Sequence, residues 1–393
     1  MPERADVVVV GGGCSGTSIA WQLARRRAGR ILLLDRDGIA AGATGRSSAL
    51  VRQHYTHEAL ARMALRALHV FERFSEVVGG ESGFRRTGFL VLVGPGDAAA
   101  LAENVAMHRE VGIDAHLLGP DEVAEIDRRI ARDDLGAAAW EPASGYADPV
   151  LTTSSYAAAA RKLGVEQRIG VEVTRIVASS GAIERLETTA GPIETRTVVV
   201  AAGYRSAELV APLGVDLPLR PIRHAIAIVQ RSSDFGPDHP VVSDRIRGSY
   251  YRPEGHDLTL IGTTAPYEGR EDAAIEIDRS PAMEELETLV GRFCHRFPGQ
   301  ERAVLRRGYT GVYDCSPDLQ PMLGPVPQVS GLHVAVGFSG HGFKLSPVVG
   351  ELVAEKLTDG RTTLVDLDLF SPARFAAGRP ITSQRGYSVA TLG

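Results

Sequence analysis

Residues 7–27, VVVVGGGCSGTSIAWQLARRR, predict a strand, a tight turn and a helix in immediate succession. Four consecutive valines are typical of a strand that is buried on both faces, as in a parallel sheet. Gly11, Gly13 and Gly16 have the G-x-G-x-x-G spacing, which permits a tight turn, close approach of the backbone to a pyrophosphate, and close packing of helix on strand. We therefore expect nucleotide phosphates at the N-terminus of this helix.

A second buried strand, ILLL, ends at Asp35, where a carboxylate can accept hydrogen bonds from ribose hydroxyls. Further strands of the nucleotide-binding type occur near residues 198 and 333, with other material between them. This order predicts an α/β fold with a doubly wound, Rossmann-like domain. The material between the strands predicts an interleaved α+β substrate domain on a mixed, largely antiparallel sheet.

The composition limits the classes of protein that fit. With 393 residues, 44% of them hydrophobic, the chain should form about two ordinary globular domains. A net charge of −5 offers no basic surface for nucleic acid, so we expect no such partner. Three unpaired cysteines and the absence of a histidine pattern argue against disulfides and against a metal site. The N-terminus resembles neither a signal peptide nor a membrane span, which predicts a cytoplasmic protein without a membrane span.

Hydrophobic periodicity predicts the remaining elements. These are, in chain order, a helix over 56–78, a strand over 88–94, a polar helical stretch up to 145–149, a hairpin turning at 179–181, strands at 197–203, 224–229 and 258–262, a helix over 283–297, a strand at 332–337 and a closing helix.

A second glycine-rich loop, GFSGHGF at 337–343, decides between cofactors. The first glycine turn alone fits either NAD or FAD, and a nicotinamide dehydrogenase needs only that turn. The small residues of TVVVAAG, at 197–203, and the distant second loop both predict close approach of a ligand. A molecule bound at both loops must be long, which favours FAD.

Five motifs occur in the order typical of one family: VVVVGGGCSG, GATGRSSALVRQHY, GYADP, TVVVAAG and GFSGHGFKLSPVVGELV. With them the chain resembles the FAD-dependent D-amino acid oxidase superfamily, and within it the sarcosine oxidase and dimethylglycine dehydrogenase-like branch, which is similar to glycine oxidases. The resemblance implies an FAD-binding domain formed by residues 1–80, 146–217 and 311–393. It implies a substrate domain formed by residues 81–145 and 218–310.

The motifs and the resemblance together imply a set of cofactor-binding residues. These are Gly11, Gly13, Cys14, Ser15, Gly16, Asp35, Arg36, Thr44, Gly45, Arg46, Ser47, Ser48, Val173, Ala202, Gly203, Gly311, Gly337, Gly340, His341, Gly342, Phe343 and Lys344.

Oxidation of an amine by flavin moves a hydride from the carbon beside nitrogen to the flavin, so the protein must orient the substrate and stabilise negative charge. Lys344 suits this need, because Ser346 as N-cap and Pro347 at the first position predict a helix that begins just after it. The resemblance implies that Lys344 and Arg52 bind the carboxylate of the substrate. The alternatives are a solvated surface lysine and a surface ion pair of Arg52.

Three further residues are candidates near the flavin. The resemblance places a tyrosine above the flavin at Tyr250 or Tyr251, and since neighbours on a strand point to opposite faces, at most one should line the site. His341 lies inside the second glycine loop, where we expect a polar role in the loop more than acid–base catalysis.

The chain departs from the family pattern in two respects. Gly311 and Arg46 occupy positions at which related enzymes attach FAD through cysteine or histidine, and Cys315 is displaced along the chain. We therefore predict non-covalent FAD. Leu260 replaces a lysine, and Thr264 a histidine, that lie near the flavin in monomeric oxidases, so the electron acceptor is either O2 or another molecule.

These features predict an FAD-dependent oxidoreductase that oxidises the C–N bond of an amino-acid-like primary or N-methyl amine to an imine. One alternative is a dehydrogenase of a cyclic imino acid, a D-amino acid or a 2-hydroxy acid that uses an acceptor other than oxygen. A second is the flavin subunit of a complex of several chains, and a weaker third is a nicotinamide dehydrogenase.

Overall fold

The computed structural model describes residues 3–264, 270–271, 279–383 and 385–387. In these residues the strands are β1 (Glu3–Arg4), β2 (Val7–Val10), β3 (Ile31–Asp35), β4 (Leu50–Val51), β5 (Arg85–Arg86), β6 (Phe89–Val93), β7 (His116–Leu118), β8 (Ala137–Glu141), β9 (Gly145–Tyr146), β10 (Glu166–Ile169), β11 (Val173–Ser179), β12 (Ala182–Thr188), β13 (Ile193–Glu194), β14 (Val198–Val200), β15 (Arg220–Gln230), β16 (Val241–Asp244), β17 (Ser249–Glu254), β18 (Leu258–Thr263), β19 (Arg270–Glu271), β20 (Val304–Cys315), β21 (Met322–Pro325) and β22 (Leu332–Val336). The α-helices are α1 (Cys14–Arg25), α2 (Glu58–Glu72), α3 (Phe74–Val77), α4 (Ala98–Val111), α5 (Pro120–Ile126), α6 (Pro149–Lys162), α7 (Ser206–Val210), α8 (Met283–Arg296) and α9 (Gly342–Asp359).

The first sheet has the strand order β10–β3–β2–β14–β22–β21, in which only β21 runs antiparallel to its neighbour. The valine runs of β2 and β14 are fully buried, as continuous apolar strands in a covered parallel sheet should be. The chain leaves β2 on one side to form β3 and returns on the other side to form β14. Such a switch point opens a crevice at the carboxyl end of β2, where ligands bind in doubly wound folds.

The second large sheet has the order β19–β15–β18–β17–β16–β6–β8–β7, and β20 also pairs with β15. Its neighbours are antiparallel except for β16 and β6, which are parallel. The predicted fold class, a Rossmann-like domain with a mixed, largely antiparallel second sheet, is therefore confirmed. The predicted boundary between residues 310 and 311 falls inside β20, which belongs wholly to this sheet.

Helix packing fixes the turn between β2 and α1. α1 packs against both α6 and α9, and α9 also packs against α2. Gly350 permits the close approach of α9 to α1, because a Cβ there would lie 2.2 Å from the hydroxyl oxygen of Ser18. On the opposite face of the sheet, buried side chains of the β11–β12 hairpin pack on β2 and β14. The turn that should hold the phosphates is thus anchored from both sides.

Two predicted elements differ from the structure. The helix expected over 56–78 is divided, because Arg73 leaves helical geometry (φ −120°, ψ 32°) between α2 and α3. The polar stretch before Gly145 is not all helical, since it also contains β7 and β8. These strands extend the antiparallel sheet beside β6. Because the neighbouring strands of the sheet supply their hydrogen-bond partners, the residue pattern of β7 and β8 alone indicated a strand only weakly.

Candidate flavin and substrate site

A long cavity of about 560 Å³ opens at the carboxyl end of β2 and extends to β15, β17 and β20. We call it the cofactor cavity. One end is lined by the residues after β3 and by Glu172, and the other by Tyr250, Tyr313 and Phe343. The cavity therefore connects the first glycine turn with the second glycine loop, and a ligand that fills it must be long.

Most of the predicted cofactor-binding residues line this cavity. They are Gly11, Gly13, Cys14, Ser15, Asp35, Arg36, Thr44, Arg46, Ser47, Ser48, Val173, Ala202, Gly203, Gly311, Gly340, Gly342 and Phe343.

Three predicted glycines do not line the cavity but allow close packing behind it. A Cβ on Gly16 would lie 1.9 Å from the carbonyl oxygen of Gly11, and one on Gly45 would lie 2.4 Å from that of Ala40. Gly337 has φ +72°, which favours glycine. All three therefore support the cavity wall, and for Gly16 this agrees with the close packing of helix on strand that the sequence predicted.

The glycine turn fits a dinucleotide. Gly13 precedes α1 without a side-chain cap, so the amides of Ser15 and Gly16 are available to phosphate oxygens, whereas the Cys14 amide donates a 3.2 Å hydrogen bond to the Thr44 hydroxyl. A Cβ on Gly13 would meet only the Thr44 hydroxyl, at 3.1 Å, which leaves the space above the turn open. The Asp35 carboxylate accepts hydrogen bonds from the amides of Gly12 (2.7 Å) and Gly38 (2.7 Å) and lies in the cavity wall, where a ribose can reach it.

α9 begins earlier than the sequence predicted. Its first residue is Gly342 and its N-cap is His341, so Lys344 lies within the first turn and Pro347 lies inside the helix. The Ser-Pro pair imitates a helix start, but packing against α1 and the flexible glycines before it allow another turn. The Lys344 side chain is consequently carried by the helix and not by the loop.

Lys344 and Arg52 are both buried beside one aromatic ring. The Lys344 Nζ lies 5.9 Å and the Arg52 guanidinium carbon 4.7 Å from the centre of the Tyr55 ring. Arg52 donates a hydrogen bond to the carbonyl oxygen of His54. With exposed fractions of 5% and 7%, neither side chain is a solvated surface group, so both surface alternatives are wrong.

Burial and, next, repulsion by Arg52 hold the pKa of Lys344 well below its usual value. The carboxylate of Glu141 partly opposes this effect. Glu141 is a nearby carboxylate for both Arg52 and Lys344. An anionic group placed between Arg52 and Lys344 would be strongly attracted.

A smaller cavity of about 50 Å³ adjoins the cofactor cavity, and we call it the substrate cavity. Its wall consists of Ser47, Ser48, Leu50, Arg52, Phe89, Ser243, Tyr250, Thr263, Thr264, Tyr313, Gly340, His341, Phe343 and Lys344. Six of these residues also line the cofactor cavity, so a molecule here would lie against the end of the long ligand. Arg52, His341 and Lys344, predicted from the sequence as catalytic, all lie in this wall.

The adjacent tyrosines point to opposite faces of β17. Tyr250 lines both cavities. Tyr251 lies in the core of the second sheet, where its hydroxyl donates a 3.0 Å hydrogen bond to the Arg292 carbonyl and its ring packs on Phe293. The candidate role of Tyr251 at the site is therefore corrected, and of the pair only Tyr250 is placed to contact substrate.

His341 is held neutral by its surroundings. Its Nε2 lies 2.9 Å from the Leu319 carbonyl oxygen, which can only accept, so Nε2 carries the proton. The Nδ1 atom then accepts from the Tyr55 hydroxyl at 3.1 Å. Burial, followed by repulsion from Lys344, lowers the pKa of His341 to about 3. His341 thus positions Tyr55 beside Arg52 and Lys344, in agreement with a polar role in the loop.

Both positions at which related enzymes attach FAD covalently lie in the wall of the cofactor cavity. Gly311 and Arg46 line the cofactor cavity, whereas Cys315 is buried in a small cluster with Ile222 and Leu319 and does not line it. Cys14 lines the cavity, but burial raises the pKa of its thiol, which disfavours the reactive thiolate. Non-covalent FAD remains a prediction that agrees with this arrangement.

Sequence reasoning missed several residues of the cavity wall. They include His224 and Tyr313, whose ring centres lie 4.3 Å apart. Asp314 also lines the cavity; desolvation raises its pKa to about 6, although it accepts a 2.7 Å hydrogen bond from the Gly337 amide. Pairing of β15 with β20 brings these side chains together, and no local pattern signals it.

The structure also brings together His54, His108 and Glu141, contrary to the expectation that no histidines form a metal-type group.

Within the described residues, no helix is both long enough and apolar enough to cross a bilayer.

A doubly wound domain, a glycine turn and a cavity that reaches a second glycine loop together define a dinucleotide-dependent flavoprotein. The chain belongs to the FAD dependent oxidoreductase (DAO) family, whose model matches residues 6–356, and its cofactor is FAD. The family resemblance predicted from the sequence is thereby confirmed, and the weaker nicotinamide alternative is excluded.

Known relatives are similar along nearly the whole chain. L-proline dehydrogenase from P. horikoshii has 29% identity and a TM-score of 0.89, over 97% of this chain and 100% of that structure. Glycine oxidase from Geobacillus kaustophilus has 26% identity and a TM-score of 0.81, over 95% and 99%. Human mitochondrial dimethylglycine dehydrogenase is 26% identical over 93% of this chain, which spans only 44% of that protein.

Proposed function

We propose that this protein oxidises the C–N bond of a small, amino-acid-like amine to an imine, with the substrate carboxylate bound between Arg52 and Lys344. The observation that carries the proposal is the pair of buried cations in the wall of a small cavity that adjoins the cofactor cavity. The named activities of the glycine oxidase and L-proline dehydrogenase relatives agree with a carboxylated amine as substrate.

The size of the substrate cavity favours a small molecule. A volume of about 50 Å³ corresponds to roughly four water-sized sites. Glycine, N-methylglycine and, with slight expansion, proline have suitable dimensions. Phe89 and Phe343 form apolar parts of the wall, which suits the carbon skeleton of such a substrate.

In this proposal each residue of the site has its own role in binding and orienting the substrate. FAD, bound non-covalently, supplies the acceptor for the hydride. Arg52 and Lys344 bind the carboxylate, and the anion in turn favours the charged form of Lys344, because it offsets the repulsion from Arg52. Neutral His341 holds the Tyr55 ring beside the two cations. Tyr250 closes the cavity on the side of β17 and orients the amine.

A dehydrogenase of a cyclic imino acid that uses an acceptor other than oxygen is the second candidate. Leu260, where monomeric oxidases have a lysine, is buried against Ile226 and Tyr250 and offers no cation to stabilise superoxide. A role as the flavin subunit of a complex of several chains is compatible with the same observation. The cytoplasmic location remains a prediction.

One experiment tests the substrate class and the carboxylate site together. Purified protein is mixed without air with glycine, N-methylglycine, L-proline, D-alanine and a 2-hydroxy acid, and bleaching of the flavin absorbance is followed. The best substrate is then compared with its carboxamide. Bleaching by amines and imino acids with strong preference for the carboxylate would support the proposal, and bleaching by the 2-hydroxy acid alone would contradict it.

Arg52→Met should lower kcat/KM for the carboxylate by about 10- to 100-fold, because about 1.5–3 kcal/mol of charge-assisted hydrogen bonding is lost. It should leave the rate with the carboxamide nearly unchanged. Arg62→Met, which breaks an exposed ion pair with Glu58, is the control. Equal losses with both substrates would refute recognition of the carboxylate by Arg52.

Reoxidation of the reduced protein by air, compared with that by a quinone, separates oxidase from dehydrogenase.

A further inference from the structure

Three buried side chains from separate elements converge behind Arg52. His54 lies in the segment after β4, His108 lies in α4, and Glu141 ends β8. Their exposed fractions are 2%, 0% and 0%. One donor atom of each residue lies within 4.8 Å of the donor atoms of the other two. This cluster does not belong to the wall of either cavity.

Each residue of the cluster is fixed through its other polar atom. The Nε2 of His108 lies 2.8 Å from the carbonyl oxygen of Tyr55 and 3.3 Å from its amide nitrogen; the shorter contact, to an oxygen that can only accept, places the proton on Nε2 and leaves a lone pair on Nδ1. The Nε2 of His54 lies 2.6 Å from the Tyr387 hydroxyl. One carboxylate oxygen of Glu141 accepts from the Gln53 amide, at 2.9 Å. Outer partners of this kind orient the ligands of metal sites.

The remaining donor atoms are without hydrogen-bond partners among the described residues. They are the Nδ1 of His54, the Nδ1 of His108 and the Oε1 of Glu141. A buried acceptor without a partner is unfavourable by about 1–3 kcal/mol. When the Nε2 of His54 donates to the Tyr387 hydroxyl oxygen, all three atoms are acceptors, and a single water molecule can donate only two hydrogens to them. A cation can bind to all three, and two imidazoles with one carboxylate are a donor set typical of zinc and of other divalent transition metals.

We propose that His54, His108 and Glu141 bind a divalent transition-metal ion of the zinc type. A tetrahedral ion with bonds of about 2.0–2.1 Å would hold its ligand atoms about 3.4 Å apart, so their separations, now up to 4.8 Å, would shorten by up to about 1.4 Å. The ion is structural, because the cluster lies outside the substrate cavity. It ties the segment that carries Arg52 to α4 and β8, and the carbonyl of His54 in turn holds the Arg52 guanidinium.

The neighbouring charges set the strength of this site. Arg52 and Arg245 both lie close enough to His54 to repel a cation. Glu141 is attracted to Arg52 and Lys344 as well as to the ion. A carboxylate bound in the substrate cavity offsets this positive charge, so the ion and a carboxylate ligand should each strengthen binding of the other.

The test uses the FAD-loaded protein, dialysed to equilibrium against excess Zn²⁺ and then against buffer, with zinc and flavin measured by elemental analysis and absorbance. We expect one tightly held zinc ion per chain, removed by a strong chelator with a fall in Tm. Zinc no higher than in the dialysis buffer would overturn the proposal. This measurement on the unaltered protein does not depend on the folding of any variant or on the identity of the substrate.

Variants locate the ion. Glu141→Gln retains the size of the side chain and adds amide hydrogens that can satisfy a histidine, so it should fold and lose the zinc. His239→Asn is the matched control, because His239 is an equally buried histidine whose two nitrogens already bond to Pro240 and Thr259. Full zinc content in Glu141→Gln would show binding elsewhere and would overturn the site.

Discussion

Gly13 separates the cofactor-binding role of the glycine turn from its structural role. Its φ of −75° and ψ of 178° are accessible to any residue, and a Cβ would touch only the Thr44 hydroxyl. The added methyl group in Gly13→Ala would nevertheless project toward the space in which the pyrophosphate should lie. Gly16 is the matched contrast, since a Cβ there would lie 1.9 Å from the carbonyl oxygen of Gly11, inside the fold.

The expected magnitudes differ accordingly. Gly13→Ala should weaken one or two hydrogen bonds between backbone amides and phosphate, each worth about 1.5–3 kcal/mol. The Kd of FAD should therefore rise by about 10- to 100-fold, whereas the free energy of unfolding of the apoprotein should change by less than about 1 kcal/mol. Gly16→Ala should lower the free energy of unfolding by about 1–3 kcal/mol or more, because the backbone has to move.

The assay combines two measurements on each variant. Apoprotein is titrated with FAD while the flavin fluorescence is recorded, and its unfolding by urea is followed by circular dichroism. Normal FAD affinity in Gly13→Ala would refute the placement of the pyrophosphate at this turn. Equal destabilisation of the two variants would refute the assignment of Gly13 to cofactor binding and of Gly16 to packing inside the fold.

Three further predictions concern stability and the substrate cavity. Arg296→Met should lower the free energy of unfolding by about 3–5 kcal/mol in urea, because it leaves Asp244 buried without the partner that now lies 2.7 Å away. Burial lowers the pKa of His239 to about 4, so below about pH 6.5 the unfolded chain binds more protons than the folded chain. His239 alone should therefore lower the free energy of unfolding by up to about 3 kcal/mol as the pH falls toward 4, in addition to the contributions of His108, His333 and His341, whose pKa values burial also lowers, and His239→Asn should make the decline shallower. Tyr250→Phe should lower kcat/KM by about 2- to 10-fold with little change in stability, whereas Tyr251→Phe should lower stability by about 1 kcal/mol with unchanged kinetics.

Each of these predictions has its own control. Arg62→Met, at an exposed ion pair, should change stability by less than about 0.5 kcal/mol, and a similar effect of Arg296→Met would disprove the buried pair. Identical pH profiles of the wild type and His239→Asn would show that another group causes the decline. An effect of Tyr251→Phe on kcat/KM equal to that of Tyr250→Phe would mean that the two faces of β17 are wrongly assigned.

Local patterns were sufficient for part of the fold. The valine run, the spacing of Gly11, Gly13 and Gly16, and Asp35 at the end of β3 act within one strand–turn–helix–strand unit, so their meaning is readable along the chain. The predicted start of α9 was wrong. Ser346 and Pro347 locally indicate a helix that begins after Lys344, whereas packing against α1 stabilises a helix that already begins at Gly342.

The sequence by itself determined the doubly wound domain, the glycine turn and the need for a long cofactor, since these depend on backbone freedom and on the order of hydrophobic runs. Only the tertiary structure decided which side chains share a space. Arg52 and Lys344 both lie beside Tyr55 in one cavity wall, and His54 and Glu141 approach each other, although long stretches of chain separate the members of each pair. Burial and hydrogen-bond pairing depend on the packing of distant segments, and no local pattern of residues contains that information.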